Sequence, residues 1–343
     1  MTNLPSMFRR PDQVPHPLYV VTPLFNPVRF RSRWRLFRDF EKMCEDAGAI
    51  LYVVEIAFGD RDHITDPSNP RHIQLRTKDE LWFKENAINV AVSRLPADWK
   101  YVAWVDADTR FVRDDWANET VHRLQHYDVI QMWSQYQDLN SEQELIGTAP
   151  GFVHNCLTIN IDNLNIWLKC CCKKKPCCCE PCYPYSSSVH PKRGQKGYPG
   201  APGLAWACTR HAWNTMGGLL DTCILGAGDW YMAHGLFGLI NQRMVNRLNH
   251  QRYRDTIFQW QERALRLHRN VGTMPGLALH YWHGPKVQRK YGTREQILID
   301  TQYRPDVHLS RDWQGLWQFT NQAPIELRDR VRGYFAERNE DQL

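Results

Sequence analysis

The 343-residue chain has no apolar run of about 18 residues, the length that a membrane-spanning helix requires. Its first residues, Met1 to Pro11, also lack the hydrophobic stretch of a secretory signal peptide. These two absences argue against a transmembrane protein and against export. We therefore expect a cytoplasmic protein with no membrane span.

The chain also has no charge excess spread along its length. The net charge is +6, and the segment from Lys169 to Lys196 holds seven basic residues against one acidic residue, Glu180. The remainder is balanced, which argues against an extended nucleic-acid-binding surface, so no specific nucleic-acid partner is expected. A hydrophobic content of 43% and a charged content of 23% are typical of a globular protein rather than a disordered one.

Apolar runs alternate with segments of helical spacing, which predicts an α/β fold with a mainly parallel, twisted sheet flanked by helices. A loose lead-in (1–17) precedes one large domain (18–300) with two halves, 18–135 and 150–300, and a helical tail (301–343) follows it. A flexible, low-complexity insertion over 169–203 interrupts the second half. The predicted strands are Leu18–Thr22, Ile50–Val54, Tyr101–Val105, Val129–Trp133, Phe152–Ile161, Leu204–Cys208 and Leu277–Trp282. The predicted helices include Arg29–Ala47, Lys78–Arg94 and Thr209–Met216.

Two carboxylates, Asp106 and Asp108, follow the apolar run Tyr101–Val105. Ligands bind at the carboxyl ends of strands in open α/β sheets, and paired carboxylates there suit a divalent cation such as Mn²⁺ or Mg²⁺. The alternative interpretation is an ordinary turn or helix N-cap, where aspartate is common.

Asp229 follows the glycine-rich turn Gly226–Gly228 and precedes a segment of helical character. Glycines let the backbone pass close to a ligand, so this carboxylate is a candidate general base for an acceptor hydroxyl. The alternative is that Asp229 only caps the helix.

Two histidines, His280 and His283, close the last predicted strand. Either one offers a nitrogen ligand, which would favour Mn²⁺ over Mg²⁺. Residues three apart on an extended strand face opposite ways, so we expect at most one of them to reach a metal. We favour His283 because Gly284 permits a turn there, and the alternative for both is a hydrogen-bonded structural histidine.

Several of these segments together resemble a known family. They are Val20-Val21-Thr22-Pro23, Lys84-Glu85-Asn86, Asp106-Ala107-Asp108, Gly217-Gly218-Leu219, Gly226-Ala227-Gly228-Asp229 and His280-Tyr281-Trp282-His283-Gly284. Over roughly residues 18–295 the chain resembles a GT-A-fold glycosyltransferase. The first half is similar to the family-two-like enzymes and the second half to the β-1,4-galactosyltransferases.

This resemblance implies a metal-dependent hexosyltransferase that moves a sugar from a nucleotide-sugar donor, a UDP-sugar, to a carbohydrate or glycan-bearing acceptor. It implies that Thr22 and Pro23 contact the uridine of the donor. It also implies that Lys84 and Asn86 face the same donor-binding cleft. It makes the second acid of the Asp106–Asp108 pair the more direct metal ligand. Residues 18–135 would then be the nucleotide-sugar half, and 150–300 the acceptor half.

Other site residues are predicted from position and charge. Glu55, predicted to end the second strand, could accept a hydrogen bond from the donor's base or ribose. Lys286, Arg289 and Arg294 could contact the diphosphate as charge-assisted donors, or be surface charges. An inverting reaction with Asp229 as base is expected, although Trp230 stands where the resembled pattern has a second acid.

Seven of the 11 cysteines fall between Cys170 and Cys182, interleaved with Lys173–Lys175. This segment could bind Zn²⁺ or Cu⁺, form disulfides, or be a low-complexity insertion, which we favour. Two alternative functions follow from the sequence. One is a nucleotidyltransferase with the same two-carboxylate site, and the other is a metal- or nucleic-acid-binding protein centred on this segment.

Overall fold

A computed structural model describes residues 16–158, 200–241, 245, 248 and 250–342. The Cys170–Cys182 segment, and with it the three interpretations of its cysteines, lies outside the described residues. Within these ranges, no helix combines the length and the apolar character that crossing a membrane needs.

The centre of the fold is a seven-stranded sheet. Its strands are β1 (Leu18–Phe25), β2 (Ile50–Phe58), β3 (His72–Thr77), β4 (Tyr101–Val105), β6 (Val129–Gln131), β9 (Ala205–Thr209) and β10 (Val271–Thr273). Their spatial order is β10-β6-β9-β4-β1-β2-β3. Only β9 runs antiparallel to its neighbours β4 and β6, so the prediction of a mainly parallel sheet is confirmed.

Both faces of this sheet are buried, which explains why its strands read as continuous apolar runs. Along β1, Leu18 and Val20 pack into one core, whereas Tyr19 and Val21 pack into the other. Helices cover both faces. The described residues form the helices α1 (Arg31–Asp46), α2 (Lys84–Val92), α3 (Trp116–Arg123), α4 (Phe152–Thr158), α5 (Arg210–Met216), α6 (Gly228–Leu236), α7 (Gln251–Leu265), α8 (Gln296–Asp300), α9 (Pro305–His308) and α10 (Ile325–Glu337).

A second sheet extends from the carboxyl end of β4. It contains β5 (Thr109–Phe111), β7 (Gln135–Leu139), β8 (Leu145–Pro150) and β11 (Leu277–His280), in the order β5-β11-β7-β8. Strand β11 pairs antiparallel with β5 and parallel with β7, so His280 lies beside Thr109 on one side and Asp138 on the other. Since Asp108 immediately precedes Thr109, this register brings Asp108, Asp138 and His280 together.

Three sequence-based predictions are corrected. Phe152–Ile161 is predicted as a strand, but Phe152–Thr158 is helical and 159–161 lie outside the described residues. Its buried residues, Phe152, Val153 and Cys156, have helical spacing, and so short an apolar run does not separate strand from helix by periodicity. The tail 301–343 is not purely helical, because β12 (Leu309–Arg311) and β13 (Trp317–Phe319) form an antiparallel hairpin within it.

The third correction concerns strand ends. Strands β1 and β2 continue beyond Pro23 and Glu55 to Phe25 and Phe58. Beyond Val21 strand β1 pairs only with β2, and such an edge position tolerates proline. Glu55 is tolerated inside β2 because its carboxylate accepts hydrogen bonds from the backbone of Ile64 and Thr65.

Candidate functional site

The candidate site is a cavity of about 440 Å³ at the carboxyl end of β4, where the two sheets meet. Its walls include Asp106 and Asp108 after β4, His280 at the end of β11 with His283 shortly after it, and Asp229 at the start of α6. Residues predicted from strand ends and a glycine-rich turn therefore line one cavity, and their functional roles stay predictions.

Asp108, His280 and His283 form a group that could hold a metal ion. One ligand atom from each lies within 4.8 Å of the others. His283 Nε2 lies 2.9 Å from Asp108 Oδ2 and 3.2 Å from His280 Nε2. Asp108 Oδ1 is buried and has no hydrogen-bond partner among the residues that the structure describes. A buried carboxylate oxygen without a partner is costly, so this donor set fits a divalent cation.

The expectation that at most one histidine reaches this group is wrong. That argument assumes an extended chain from His280 to His283, whereas β11 ends at His280. The chain then turns through Gly284, whose φ of +88° is in the left-handed region. As a result, both Nε2 atoms face Asp108.

Each histidine has a carboxylate at its other ring nitrogen. Asp138 Oδ1 lies 2.8 Å from Nδ1 of His280, and Glu340 Oε2 lies 3.8 Å from Nδ1 of His283. At 2.8 Å the Asp138 carboxylate orients the His280 imidazole and fixes the tautomer that presents Nε2. Glu340, at 3.8 Å, is too far for a hydrogen bond and orients His283 only through its charge. The arrangement thus leaves Nε2 of both rings for a ligand in the cavity.

The protonation states of this group also suit metal binding. Burial would raise the pKa of Asp108, but His283, His280 and Arg289 outweigh it and hold that pKa well below its usual range. Burial lowers the pKa of His280, against the opposing effect of Asp138. An ionised carboxylate and a neutral imidazole are the forms that ligate metals.

Asp106 lies in the same cavity but is paired with Lys84 at 2.6 Å. Burial raises the pKa of Asp106 to about 6, although Lys84 opposes this. Burial lowers the pKa of Lys84, but Asp106, Asp229 and Glu85 outweigh it and keep that pKa above the ordinary lysine value. Lys84 therefore faces the cavity as a cation, and a direct metal contact by Asp106 stays a prediction.

Asp229 does not cap helix α6. The N-cap is Ala227, with φ of +75° and no side-chain capping bond, and Asp229 lies in the first turn. One oxygen, Oδ1, accepts a hydrogen bond from the Trp230 backbone, and Oδ2 lies 3.0 Å from where a Cβ on Gly203 would stand. The interpretation as an N-cap is wrong, and the carboxylate lines the cavity.

Only some of the residues predicted to bind the donor line the cavity. Pro23 and Lys84 line the cavity. The buried Thr22 hydroxyl donates to the Val105 carbonyl, and Glu55 binds the Ile64–Thr65 loop. Asn86 points to the hairpin, where it donates to Gly315 O and accepts from Trp317 N. Donor contacts by Thr22, Glu55 and Asn86 stay predictions, since these polar groups already have partners within the chain.

Arg289 and Arg294, which sequence analysis left open between site and surface, are 3% and 7% exposed and line the cavity. Arg289 donates to Tyr291 Oη and Gly284 O, and Arg294 to Tyr334 Oη. Lys286 is paired instead with Asp138. Two buried guanidinium groups with neutral partners give the cavity an anion-binding character.

Other residues of the site were missed by sequence analysis. Glu340 is 1% exposed and pairs with Arg33 at 2.5 Å and Arg338 at 2.6 Å. Asp138 lies in a strand of ordinary alternation, and Glu340 lies in a polar stretch, so neither has a local signal. Glu85 is the exception, because it is next to Lys84 and could have been included with it.

Comparisons with known proteins were made for the whole chain. No protein-family model and no curated protein sequence matches it. A solved structure of a mutant Drosophila β1,4-galactosyltransferase 7 with manganese, UDP-Gal and xylobiose aligns at 12% identity and a TM-score of 0.30, covering 64% of this chain and 59% of that one.

Two other solved structures align over more of the chain. The catalytic domain of Drosophila β1,4-galactosyltransferase 7 with xylobiose aligns at 11% identity and a TM-score of 0.34, covering 92% of this chain and 98% of that one. A protein from Desulfovibrio desulfuricans G20, assigned as a nucleotide-diphospho-sugar transferase, aligns at 10% identity and a TM-score of 0.29, covering 92% and 97%. Likenesses at these TM-scores, all below 0.5, give no evidence about the chemistry of this chain.

Proposed function

We propose that this protein is a metal-dependent glycosyltransferase that takes a sugar from a nucleotide-sugar donor. The observation that supports this most directly is the unpartnered Oδ1 of Asp108, in a group with two imidazoles beside a buried cationic cavity. Mn²⁺ is the proposed ion, with Mg²⁺ as the alternative, because two nitrogen ligands favour the former.

The cavity suits a diphosphate leaving group. A bound divalent ion would neutralise the negative charge that develops as the sugar leaves. Arg289 lies close enough to Asp108 to lower its pKa, and it would donate hydrogen bonds to oxygens of the diphosphate. The volume of about 440 Å³ falls within the range of sites that bind small molecules and cofactors.

Asp229 is the proposed general base. It would accept the proton of the acceptor hydroxyl as that oxygen attacks the anomeric carbon, which gives inversion at that carbon. Lys84 carries its charge in the same cavity and interacts electrostatically with both Asp106 and Asp229. A UDP-sugar donor and a carbohydrate acceptor follow from the resemblance to the β-1,4-galactosyltransferases.

The test is thermal unfolding with UDP, GDP, CMP and TDP, each with and without Mn²⁺. A ligand that binds only the folded state raises the unfolding temperature. We expect one nucleotide to stabilise wild type in the presence of Mn²⁺ and to lose this effect in Asp108→Asn. Asp115→Asn is the matched control, because Asp115 is ion-paired at the surface with Arg113.

Asp229→Asn separates catalysis from binding. It should retain the nucleotide-dependent stabilisation and lose sugar transfer. If no nucleotide stabilises wild type, and Asp108→Asn behaves like wild type, the proposed function is wrong.

The alternative of a nucleotidyltransferase predicts release of pyrophosphate from a nucleoside triphosphate. That chemistry was inferred from two acids sharing a metal, whereas Asp106 is paired with Lys84 and Asp108 with His283. The site geometry therefore favours glycosyl transfer. Pyrophosphate release by wild type that Asp108→Asn abolishes would reverse this preference.

A further inference from the structure

Most of the charged groups around the cavity neutralise one another. Lys84 pairs with Asp106, Lys286 with Asp138, and Arg33 and Arg338 both pair with Glu340. Among the residues that the structure describes, no carboxylate lies within ion-pair distance of Arg289 or Arg294. Asp108 acts on Arg289, and Asp229 on Arg294, only from a longer distance. Burying a guanidinium without a close anion is costly, so these two positions indicate anionic groups on the substrate.

The guanidinium of Arg294 is held rigidly. It lies 5.0 Å from the ring centre of Tyr291 and 5.9 Å from that of Trp82, and Nη1 donates to Tyr334 Oη at 3.1 Å. Nε is buried, and within the described part of the chain it has no hydrogen-bond partner. A guanidinium fixed between aromatic rings presents its donors in one plane, which matches the two oxygens of a carboxylate.

Arg294 shares the neighbours Tyr291 and Tyr334 with Arg289, but its guanidinium also reaches a separate part of the cavity. Its Nη2 would be 2.9 Å from a Cβ on Gly226, which places it against the turn that leads into α6 and Asp229. Arg289 instead donates to Gly284 O, next to His283 and the candidate metal ligands. The two guanidiniums would therefore contact different parts of a bound substrate. Arg289 would contact the diphosphate, and Arg294 would contact the sugar that reacts beside Asp229.

We propose that Arg294 binds the carboxylate of an acidic sugar, so that one of the two reacting sugars is a uronic acid. This inference rests on the proposed glycosyltransferase function and specifies its substrate class. The carboxylate could belong to the donor sugar or to the acceptor sugar, since both meet at Asp229.

The experiment measures binding to the Mn²⁺-loaded protein by calorimetry. The donor arm compares UDP-glucuronate with UDP-glucose. The acceptor arm compares methyl β-glucuronide with methyl β-glucoside in the presence of UDP. In one arm we expect the carboxylate-bearing ligand to bind about 10- to 100-fold more tightly, the range of a charge-assisted bidentate contact.

Arg294→Gln should abolish this preference while UDP alone still binds as it does to wild type. Arg289→Gln is the matched control, which should weaken UDP and both nucleotide sugars equally. Arg294→Lys keeps the charge but loses the planar pair of donors, so it should restore only part of the preference.

Three outcomes would overturn the inference. The first is that wild type shows no preference for the carboxylate in either arm, a result that needs no variant to fold. The second is that Arg294→Gln keeps the preference. The third is that Arg294→Gln loses UDP binding as strongly as Arg289→Gln does, which would assign Arg294 to the diphosphate. Failure of the proposed function is distinct from all three, because wild type would then bind no nucleotide with Mn²⁺.

Discussion

Oε2 of Glu340 lies 3.8 Å from Nδ1 of His283, so a carboxylate from the segment after α10 stands directly behind a candidate metal ligand. The same carboxylate pairs with Arg33 and Arg338, and these cations outweigh burial and hold the pKa of Glu340 well below its usual range. The segment after α10 is therefore part of the site. It ties α1 to the turn that carries His283.

Glu340→Gln should weaken the protein's affinity for Mn²⁺ about 10- to 100-fold, because the amide orients His283 less strongly. It should also cost roughly 3 kcal/mol of stability by leaving buried guanidiniums unbalanced. Calorimetric Mn²⁺ titration and chemical denaturation measure the two effects. Glu337→Gln is the control, because its pair with Lys290 is exposed. An unchanged Mn²⁺ affinity in Glu340→Gln would reduce Glu340 to a purely structural role.

Glu85 should make the protein less stable as the pH rises. Burial, with help from Asp229, raises the pKa of Glu85 to about 8, although Lys84 opposes this. Between about pH 4.5 and 8 the folded state keeps a proton that the unfolded state has lost, so stability falls across that window. Below pH 4.5 and above pH 8, the titration of Glu85 should no longer change the free energy of unfolding.

Glu85→Gln removes that titration. The free energy of unfolding of the variant should rise relative to wild type from pH 4.5 to 8, as measured by urea denaturation at each pH. Glu262→Gln, which changes an exposed carboxylate, should follow the wild-type curve. Parallel curves for wild type and Glu85→Gln would contradict the prediction.

Gly226→Ala should disturb the site, whereas Gly48→Ala should not. Both glycines have positive φ, +85° and +68°, so each substitution should cost about 1 kcal/mol of backbone strain. A Cβ at Gly226 would also meet Arg294 Nη2 at 2.9 Å, while one at Gly48 would meet nothing within 4 Å. We expect Gly226→Ala to weaken substrate binding as well as stability, and Gly48→Ala to affect stability alone. Equal binding by the two variants would show that Arg294 moves aside without consequence.

Deleting residues 170–182 tests the interpretation centred on the cysteines. If the site described above carries the function, the deletion variant should keep its nucleotide- and Mn²⁺-dependent thermal stabilisation. A matched deletion that removes only Lys173–Lys175 separates the basic residues from the cysteines. Loss of the stabilisation on removing 170–182, with the fold intact by circular dichroism, would move the function to that segment.

Local sequence patterns were sufficient to predict part of the fold and some residues of the candidate site. The apolar runs predicted β1, β2, β4, β6 and β9 of the main sheet, because a strand covered by helices on both faces must be apolar along its length. The positions of Asp108, His283 and Asp229 followed from strand ends and a glycine turn. Each of these signals lies within a few consecutive residues, so these positions can be predicted without knowing the fold.

The tertiary structure decided which of these groups meet. The register of β11 between β5 and β7 brought His280 to both Asp108 and Asp138, and the return of the chain after α10 brought Glu340 to His283. The two acids after β4 also have different surroundings. Asp106 is ion-paired with Lys84, whereas Oδ1 of Asp108 is buried with no hydrogen-bond partner among the described residues. Contacts between residues far apart in sequence leave no local periodicity, which is why only the folded chain reveals them.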